Sequence, residues 1–403
     1  MNSKSPIFTR DFVLVCLATF LSHSAQSLVL TAIPLLLKQM GFAAGFIGGF
    51  VGAFAMCALI ARFPVGGAVD RFGSRAFGAG GAGLLGVGCV LYILVPLVPV
   101  RMPFAAAVPL LLPLAGITHA VGFSTYGTSA SSFVAYTAPL ARRGEAVSYY
   151  GILTNVATSI AAGVSLPIVA AWGFPALFET AAVMATLAAI LSSSLCDTPR
   201  SEDSSRFTVV HFRIETKVLA PALVSTTLAA GNGMALAFVS LLGLERGIAN
   251  PGIYFTAVAL TSIVFRIVAG RLADTYGRFA SIIPGMLMAS TGLVIVARTS
   301  STEMLVLAGI VYGIGSASAI PALQALVIDL AGPAQRGSAM ATYWAMVDLG
   351  VSVGSIAAGQ IAPVVGYGGV FIAASSAPLV GLCILLAYAR LRQAPPSSHE
   401  RTR

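Results

Sequence analysis

Apolar runs of about twenty residues follow one another along almost the whole chain, separated by short stretches that hold charged residues, glycine and proline. An α-helix needs about 20 apolar residues to cross the hydrocarbon core of a membrane. Only helices and closed barrels can satisfy their backbone polar groups in lipid. The pattern predicts an all-α membrane protein whose twelve transmembrane helices cover 12–37, 46–68, 76–98, 104–134, 146–170, 175–195, 217–243, 252–271, 279–298, 303–330, 338–362 and 369–390.

The charge content supports this fold class. Only 9% of the 403 residues are charged and 57% are hydrophobic, whereas a soluble domain carries about 25% charged residues. The net charge is +9, but the basic residues are scattered over short loops instead of gathering on one face. That distribution excludes nucleic acid as a partner and indicates a lipid bilayer.

Lysine and arginine are distributed unequally between the two sets of loops. If both termini are cytoplasmic, seventeen of the 23 basic residues lie on the cytoplasmic side. Only Lys38, Arg101, Arg246 and Arg298 lie outside. Cytoplasmic loops of membrane proteins carry an excess of basic residues. The bias predicts a multi-pass protein of the plasma (inner) membrane with both termini cytoplasmic.

One extended polar segment, including the run DTPRSEDSSR, divides the spans six and six. It has no apolar periodicity, so we interpret it as a linker. The predicted organisation is an N-terminal six-helix bundle over 1–195, a cytoplasmic linker over 196–216, a C-terminal six-helix bundle over 217–392 and a disordered tail over 393–403.

A short charged loop occurs twice in the sequence. Four residues of the loop after the second run recur 204 positions later, after the eighth run. The pairs are Arg62 and Arg266, Gly66 and Gly270, Asp70 and Asp274, Gly73 and Gly277. A second correspondence, offset by 193, joins Gly173 to Gly366 and Phe178 to Phe371. The halves are therefore predicted to be parallel repeats of six spans, which is one of the known transporter designs.

The loop Gly66-x-x-x-Asp70-Arg71-x-Gly73-x-Arg75 resembles the signature loop of the major facilitator superfamily. The resemblance extends over nearly the whole chain and implies a two-bundle fold, with secondary transport by alternating access. The second half, with Arg336-Gly337 and Asp348-Leu349-Gly350, is similar to the drug and metabolite efflux branch. That branch includes arabinose efflux permease-like proteins and exporters of staphylopine-type metallophores.

The chain also departs from the efflux pattern. The fourth span has His119 but no arginine where efflux members often carry one, and the fifth span keeps only Gly163 and Pro167 of a longer glycine-proline run. The leading prediction is proton-coupled efflux (antiport) of a small metabolite or drug. Proton-coupled import on the same fold stays open, and a nontransporting membrane sensor is a third alternative.

Two acids within the spans, Asp348 and Glu179, are candidates for proton coupling. Charge inside a bilayer is costly, so such a residue marks a functional site by default. Asp348 lies near the middle of its span, and at offset 193 its counterpart is the uncharged Asn155. A hydrogen-bonded structural acid is the alternative for Asp348, and an interfacial or helix N-terminal role is the alternative for Glu179.

The repeated loops are predicted to form a conformational latch. An acid near the end of a span can cap a helix N-terminus and pair with an arginine from another span. Arg62 and Arg266 can instead extend to the interface or pair with an acid, and Asp329 closes the tenth span as a candidate for a gate-side ion pair. The predicted latch residues are Arg62, Gly66, Asp70, Arg71, Gly73, Arg266, Gly270, Asp274, Gly277 and Arg278.

Polar and aromatic side chains are expected to line a central substrate cavity, since the first, fourth, seventh and tenth spans line it in the family that the chain resembles. His119 and Tyr126 share one face of their span at helical spacing, as do His23 and Gln26. Such a face suits a polar or zwitterionic solute, and helix–helix hydrogen bonding is the alternative. The cavity candidates are His23, Gln26, His119, Tyr126, Asn155, Asn232 and Trp344.

No cofactor and no metal are predicted. The sequence has no phosphate-binding Gly-Lys-Ser/Thr loop, and none of the histidines or the five cysteines has metal-ligand spacing. We expect a protein that is not an enzyme and that handles a small-molecule substrate together with protons. We also expect it to function as a monomer.

Overall fold

The computed structural model describes residues 7–97, 101–102, 105–139, 142–196, 215–331 and 336–393. The predicted linker lies outside these residues between 197 and 214, and so does the predicted tail from 394 onwards. Within the described residues the long helices are α1 Arg10–Gln39, α2 Ala44–Phe72, α3 Ser74–Leu94, α4 Leu111–Thr137, α5 Arg143–Ser193, α6 Leu219–Glu245, α7 Ile253–Tyr276, α8 Arg278–Arg298, α9 Thr302–Leu330 and α10 Arg336–Gln393.

Two of these helices each contain two spans. Gly173 breaks α5 with φ 80°, and Gly366 breaks α10 with φ 68°. Both dihedrals lie in the left-handed region, which glycine adopts without steric cost. The two breaks are 193 residues apart, as the repeat predicts. With each broken helix counted as two rods, the described residues form the twelve predicted helices.

The start of the fourth span differs from the prediction. Residues before Leu111 form a short antiparallel hairpin of β1 Arg101–Met102 and β2 Ala105–Pro109. Proline disfavours the helical conformation in the residue before it, so Pro109 keeps the helix from starting at 104. Pro113 falls in the first turn of α4, where a proline nitrogen has no hydrogen bond to lose.

Nine stretches among the described residues are long and apolar enough to cross a membrane, and two of them are the broken helices α5 and α10. Many large apolar side chains on these helices are exposed, including Trp172 at 72% and Val364 at 86%. Lipid is the medium in which such a surface is stable. The chain is therefore a multi-pass membrane protein.

The two halves repeat the same helix contacts. In the first half α1 packs on α5 and α3 packs on α4; in the second half α6 packs on α10 and α8 packs on α9. The halves meet where α2 packs on α10 and α5 packs on α7. The core runs continuously through both halves, since one cluster of buried side chains includes residues from each.

Glycines that correspond in the two halves make corresponding contacts. A Cβ on Gly122 would lie against the backbone of Leu85, and a Cβ on Gly315 would lie against the backbone of Ala289. The members of the first pair are related to those of the second by the offsets of 193 and 204. Small residues let membrane helices approach closely, so these glycines set the packing of α3 on α4 and of α8 on α9.

Candidate functional site

The repeated loops form two matching turns at one end of the bundle, which we call the signature face. Gly73 separates α2 from α3 with φ 89° and ψ 156°, and Gly277 separates α7 from α8 with φ 89° and ψ 161°. This backbone conformation is essentially confined to glycine. The two glycines therefore hold the sharp turn that ends each helix at the signature face.

The second copy of the loop holds an ion-pair network. Arg278 donates one hydrogen bond to Asp274 Oδ1 (2.7 Å) and another to Asp329 Oδ2 (3.0 Å). These contacts join α7, α8 and α9 within the second half. In the first copy, Arg71 lies over the ring of Phe72 at 5.1 Å. The side chain of Asp70 lies outside the described part of the structure.

Gly66 and Gly270 do not mark a close approach between helices. No atom lies within 4 Å of the position that a Cβ would take on either residue. The close approaches occur nearer the other end of α2. A Cβ on Gly48 would collide with the carbonyl oxygen of Ser355, and one on Gly52 would lie 2.8 Å from that of Ser352. Ser352 also donates a 2.9 Å hydrogen bond to the carbonyl of Gly52.

Among the ion pairs of the described residues, one crosses between the halves. Arg62 Nη1 lies 3.1 Å from Asp348 Oδ2, which joins α2 to α10. Both side chains are largely buried, with 35% and 20% of their surface exposed. A charged residue at the centre of a membrane helix costs about 2.5–3.5 kcal/mol. Pairing with the opposite charge offsets this cost for both residues, which explains why both can lie within their spans.

The pair is close, but its geometry is not that of a full hydrogen bond. Asp348 Oδ2 is buried and has no hydrogen-bond partner among the described residues. Arg62 lies within α2, and its side chain extends away from the signature face to reach Asp348. This direction is expected because side chains tilt towards the N-terminus of their helix, and α2 begins at the opposite end.

His119 and Tyr126 lie inside the first half and do not reach a cavity wall. His119 has no exposed surface and packs on Gly88 of α3 and on the rings of Phe54 and Tyr92, at 5.2 and 5.9 Å. Tyr126 is 1% exposed, and its hydroxyl lies 2.9 Å from that of Thr19. The face of α4 that carries both residues packs against α3.

The position of His119 has an equivalent in the second half. The offsets relate His119 and Gly88 to Tyr312 and Gly292, and a Cβ on Gly292 would lie 2.7 Å from the Tyr312 backbone nitrogen. Tyr312 is 3% exposed. A glycine against the backbone of a buried aromatic residue is thus a packing feature of both halves. In His119 neither ring nitrogen has a hydrogen-bond partner among the described residues.

The other predicted cavity residues are placed differently. His23 is half-buried, with Nδ1 3.1 Å from the carbonyl of Thr19. Gln26 is buried, and its Oε1 has no hydrogen-bond partner among the described residues. Asn232 is exposed on α6, although both its neighbours in sequence are buried. Trp344 is 40% exposed and packs edge-on against Tyr343 at 5.4 Å.

Asn155 and Glu179 lie in the two rods of α5. Asn155 donates a 2.6 Å hydrogen bond to the carbonyl of Gly151 in its own helix. Glu179 is exposed, and no described residue forms an ion pair with it. The structure does not bring Glu179 together with Asp348.

A cavity that the sequence did not predict lies at the end opposite the signature face. Its volume is about 630 Å³, and its lining includes Leu35, Lys38, Leu166, Phe174, Glu245 and Tyr367. None of the predicted cavity residues is part of this lining. Lys38 and Glu245 end α1 and α6, which are equivalent helices. Charges at both positions were the signal that could have revealed the cavity.

The fold and the repeated loops define a class of membrane transporters that are not enzymes. The profile of the Major Facilitator Superfamily matches residues 15–248 and 214–403. The chain belongs to this superfamily and is a membrane transporter.

Among relatives, an uncharacterized MFS-type transporter of Salmonella typhimurium is 25% identical over 384 residues, which cover 91% of this chain and 94% of that protein. Another from Burkholderia pseudomallei is 25% identical over 379 residues, covering 93% of this chain and 91% of that protein.

Solved structures share the fold at low sequence identity. A bacterial homolog of the human lysosomal transporter Spinster, in an inward-facing and occupied conformation, matches with a TM-score of 0.78 and 13% identity, covering 98% of this chain and all of that one. A D-xylose–proton symporter matches with a TM-score of 0.72 and 17% identity, covering 93% and 96%. These structures support the all-α fold of two six-helix repeats.

Proposed function

We propose that this chain is a proton-coupled secondary transporter that exports a small metabolite or drug by alternating access. The observation that carries the proposal is the Arg62–Asp348 pair, which joins the two halves across the α2–α10 contact. In alternating access the two halves rock against each other. A pair at their contact is placed to respond to that motion.

Protonation of Asp348 would change this contact directly. A neutral carboxylic acid no longer attracts the Arg62 guanidinium, so proton binding weakens the link between α2 and α10. Asp348 Oδ2 has a free hydrogen-bonding position, because no described residue donates a hydrogen bond to it. Arg62 and a proton therefore compete for the same carboxylate, and the coupling role of Asp348 follows from that competition.

The glycine contacts provide a pivot for the motion. Near the end opposite the signature face, Gly48 and Gly52 bring α2 against the backbone of α10. Towards the signature face, nothing lies within 4 Å of a Cβ on Gly66. We propose that the helices separate on that side, with the loops at Gly73 and Gly277 as the latch.

The distribution of basic residues supports placing the signature face in the cytoplasm. Arg71, Arg75 and Arg278 lie there, and the sequence predicts most other lysines and arginines of the chain on the same side. Positive charge favours the cytoplasmic side. In this orientation both termini are cytoplasmic. We further propose that the protein lies in the plasma (inner) membrane and acts as a monomer.

Import by proton symport is the second candidate. It is supported by the similarity in fold to a D-xylose–proton symporter and by the missing arginine in the fourth span. Among the proposed cavity residues, the exposed Asn232 and Trp344 suit a polar solute with an aromatic or apolar part under either direction.

Proteoliposomes with an imposed pH gradient and a pH-sensitive dye in the lumen would test the proposal. A compound that leaves the cytoplasmic side as protons enter supports export, and movement of both in one direction supports import. Absence of flux for every compound of a metabolite and drug panel would favour a sensor. Asp348→Asn should abolish dependence of transport on the pH gradient, and the exposed Glu303→Gln is the matched control.

A further inference from the structure

The contact between α2 and α10 has a second copy between α7 and α5. A Cβ on Gly48 would meet the carbonyl of Ser355, and a Cβ on the equivalent Gly252 would meet that of Ala162 at 2.9 Å. These residues are related by the offsets of 204 and 193. The same pseudo-two-fold operation therefore carries one interface between the halves onto the other.

A second contact obeys the same operation. Gly52 packs against the Ile356 side chain, and their equivalents are Thr256 and Gly163. A Cβ on Gly163 would collide with the Thr256 side chain. In the α2–α10 interface the glycine lies on α2, whereas in the α7–α5 interface it lies on α5, the counterpart of α10. The two contacts nevertheless occupy equivalent positions.

The operation carries the Arg62–Asp348 pair onto Arg266 and Asn155. The arginine is repeated, but the acid is replaced by a neutral amide. No described residue forms an ion pair or a hydrogen bond with the Arg266 side chain. Among the described residues, the first interface is thus electrically neutral at this point, whereas the second carries one positive charge without a counter-charge.

Arg266 lies on the inward side of α7. Residues are 100° apart around a helix, so Arg266 shares a face with Ser262 and the buried Ala269, opposite the exposed Val264 and Val268. Ser262 contacts α9 through the carbonyl of Gly313 at 3.3 Å. The guanidinium therefore projects from the side between α5 and α9 and not from the side that faces lipid, and it is only partly buried.

We infer that Arg266 binds the carboxylate of the transported solute and that Asn155, at the position opposite, assists it, so that the substrate is a small organic monoanion. The inference rests on the proposed transport function and names its substrate class. The substrate carboxylate takes the place that Asp348 holds in the other half.

The chemistry of the two side chains fits a carboxylate. A guanidinium presents a planar fork that binds both carboxylate oxygens at once, and an amide can donate one more hydrogen bond without adding charge. A neutral solute would leave the Arg266 charge uncompensated within the membrane, which is unfavourable. A single negative charge on the solute would neutralise Arg266 as Asp348 neutralises Arg62.

Ligand-induced stabilisation of the purified full-length protein tests this inference without transport. The probes are acetate, butyrate and benzoate at constant ionic strength, and acetamide, butyramide and benzamide are their neutral partners. Binding to the folded state raises the thermal unfolding midpoint. We expect at least one carboxylate, but not its amide, to raise the midpoint of the wild-type protein.

Four variants locate the effect. Arg266→Gln should abolish the rise, with a loss of affinity of at least about 30-fold, whereas Arg266→Lys should retain part of it. Asn155→Asp should also abolish the rise, because its own carboxylate pairs with Arg266 while the arginine is still present. Arg298→Gln, which removes an exposed arginine from the end of α8, should keep the full rise.

The inference is overturned if no carboxylate stabilises the wild-type protein more than its amide, or if the rise survives in Arg266→Gln or Asn155→Asp. This result is separable from failure of the proposed function. Proton-coupled flux without carboxylate binding would contradict only the proposed anion site. Carboxylate binding without coupled flux would contradict only the proposed coupling role.

Discussion

Arg62 on α2 and Asp348 on α10 form an ion pair of 3.1 Å that joins the two halves of the transporter. The residues are 286 positions apart in the chain, and neither has another charged partner among the described residues. Their equivalents in the other interface are a cation and a neutral amide. The two halves of the fold thus differ in charge at one symmetric point.

Removing one member of this pair should destabilise the protein more than removing both. Arg62→Gln leaves a largely buried carboxylate without a counter-charge, at a cost of about 1–3 kcal/mol. The double variant Arg62→Gln/Asp348→Asn removes both charges and should recover much of that loss. Thermal unfolding of the wild type, both single variants and the double variant measures the coupling. Additive single effects would show that the pair contributes nothing to stability.

A methyl group on Gly48 should disturb the contact between the halves. The Cβ of Gly48→Ala would collide with the Ser355 carbonyl, and overpacking of this kind costs about 1–3 kcal/mol. Gly66→Ala is the matched control in the same helix, because its Cβ meets no atom within 4 Å. It should change stability by less than about 1 kcal/mol.

Thermal unfolding of the two glycine variants measures the difference. Equal midpoints for Gly48→Ala and Gly66→Ala would contradict the close approach of α2 to α10. A loss of stability confined to Gly66→Ala would place the pivot at the signature face instead.

His119→Tyr should be tolerated. The equivalent position in the second half is Tyr312, and the backbone of each residue packs against a glycine of the neighbouring helix. Both side chains are buried. His119→Ala should cost about 2–5 kcal/mol, as large-to-small core substitutions do. Expression, unfolding midpoint and transport of the two variants are the measurements. A folded His119→Tyr protein without transport would show that the imidazole has a chemical role that packing does not explain.

Several features of the site depended on contacts that no sequence pattern contains. Helical spacing placed His119 and Tyr126 on one face of α4, but it could not say whether that face meets α3 or a cavity. Gly88 decides this, because a residue without a side chain lets α4 approach α3 closely. The close approach buries His119 between the helices. The cavity that ends at Lys38 and Glu245 likewise depends on how the helix ends of the two halves meet.

The sequence by itself determined the membrane class, the twelve helices, the two repeats and the turns at Gly73 and Gly277. These follow from hydropathy, spacing and the conformational freedom of glycine, which are local properties of the chain. Only the tertiary structure decided that Arg62 meets Asp348 and that Arg266 meets no acid in the described part of the chain. Such pairing depends on which helices lie side by side, and close packing between the halves sets that arrangement through residues far apart in sequence.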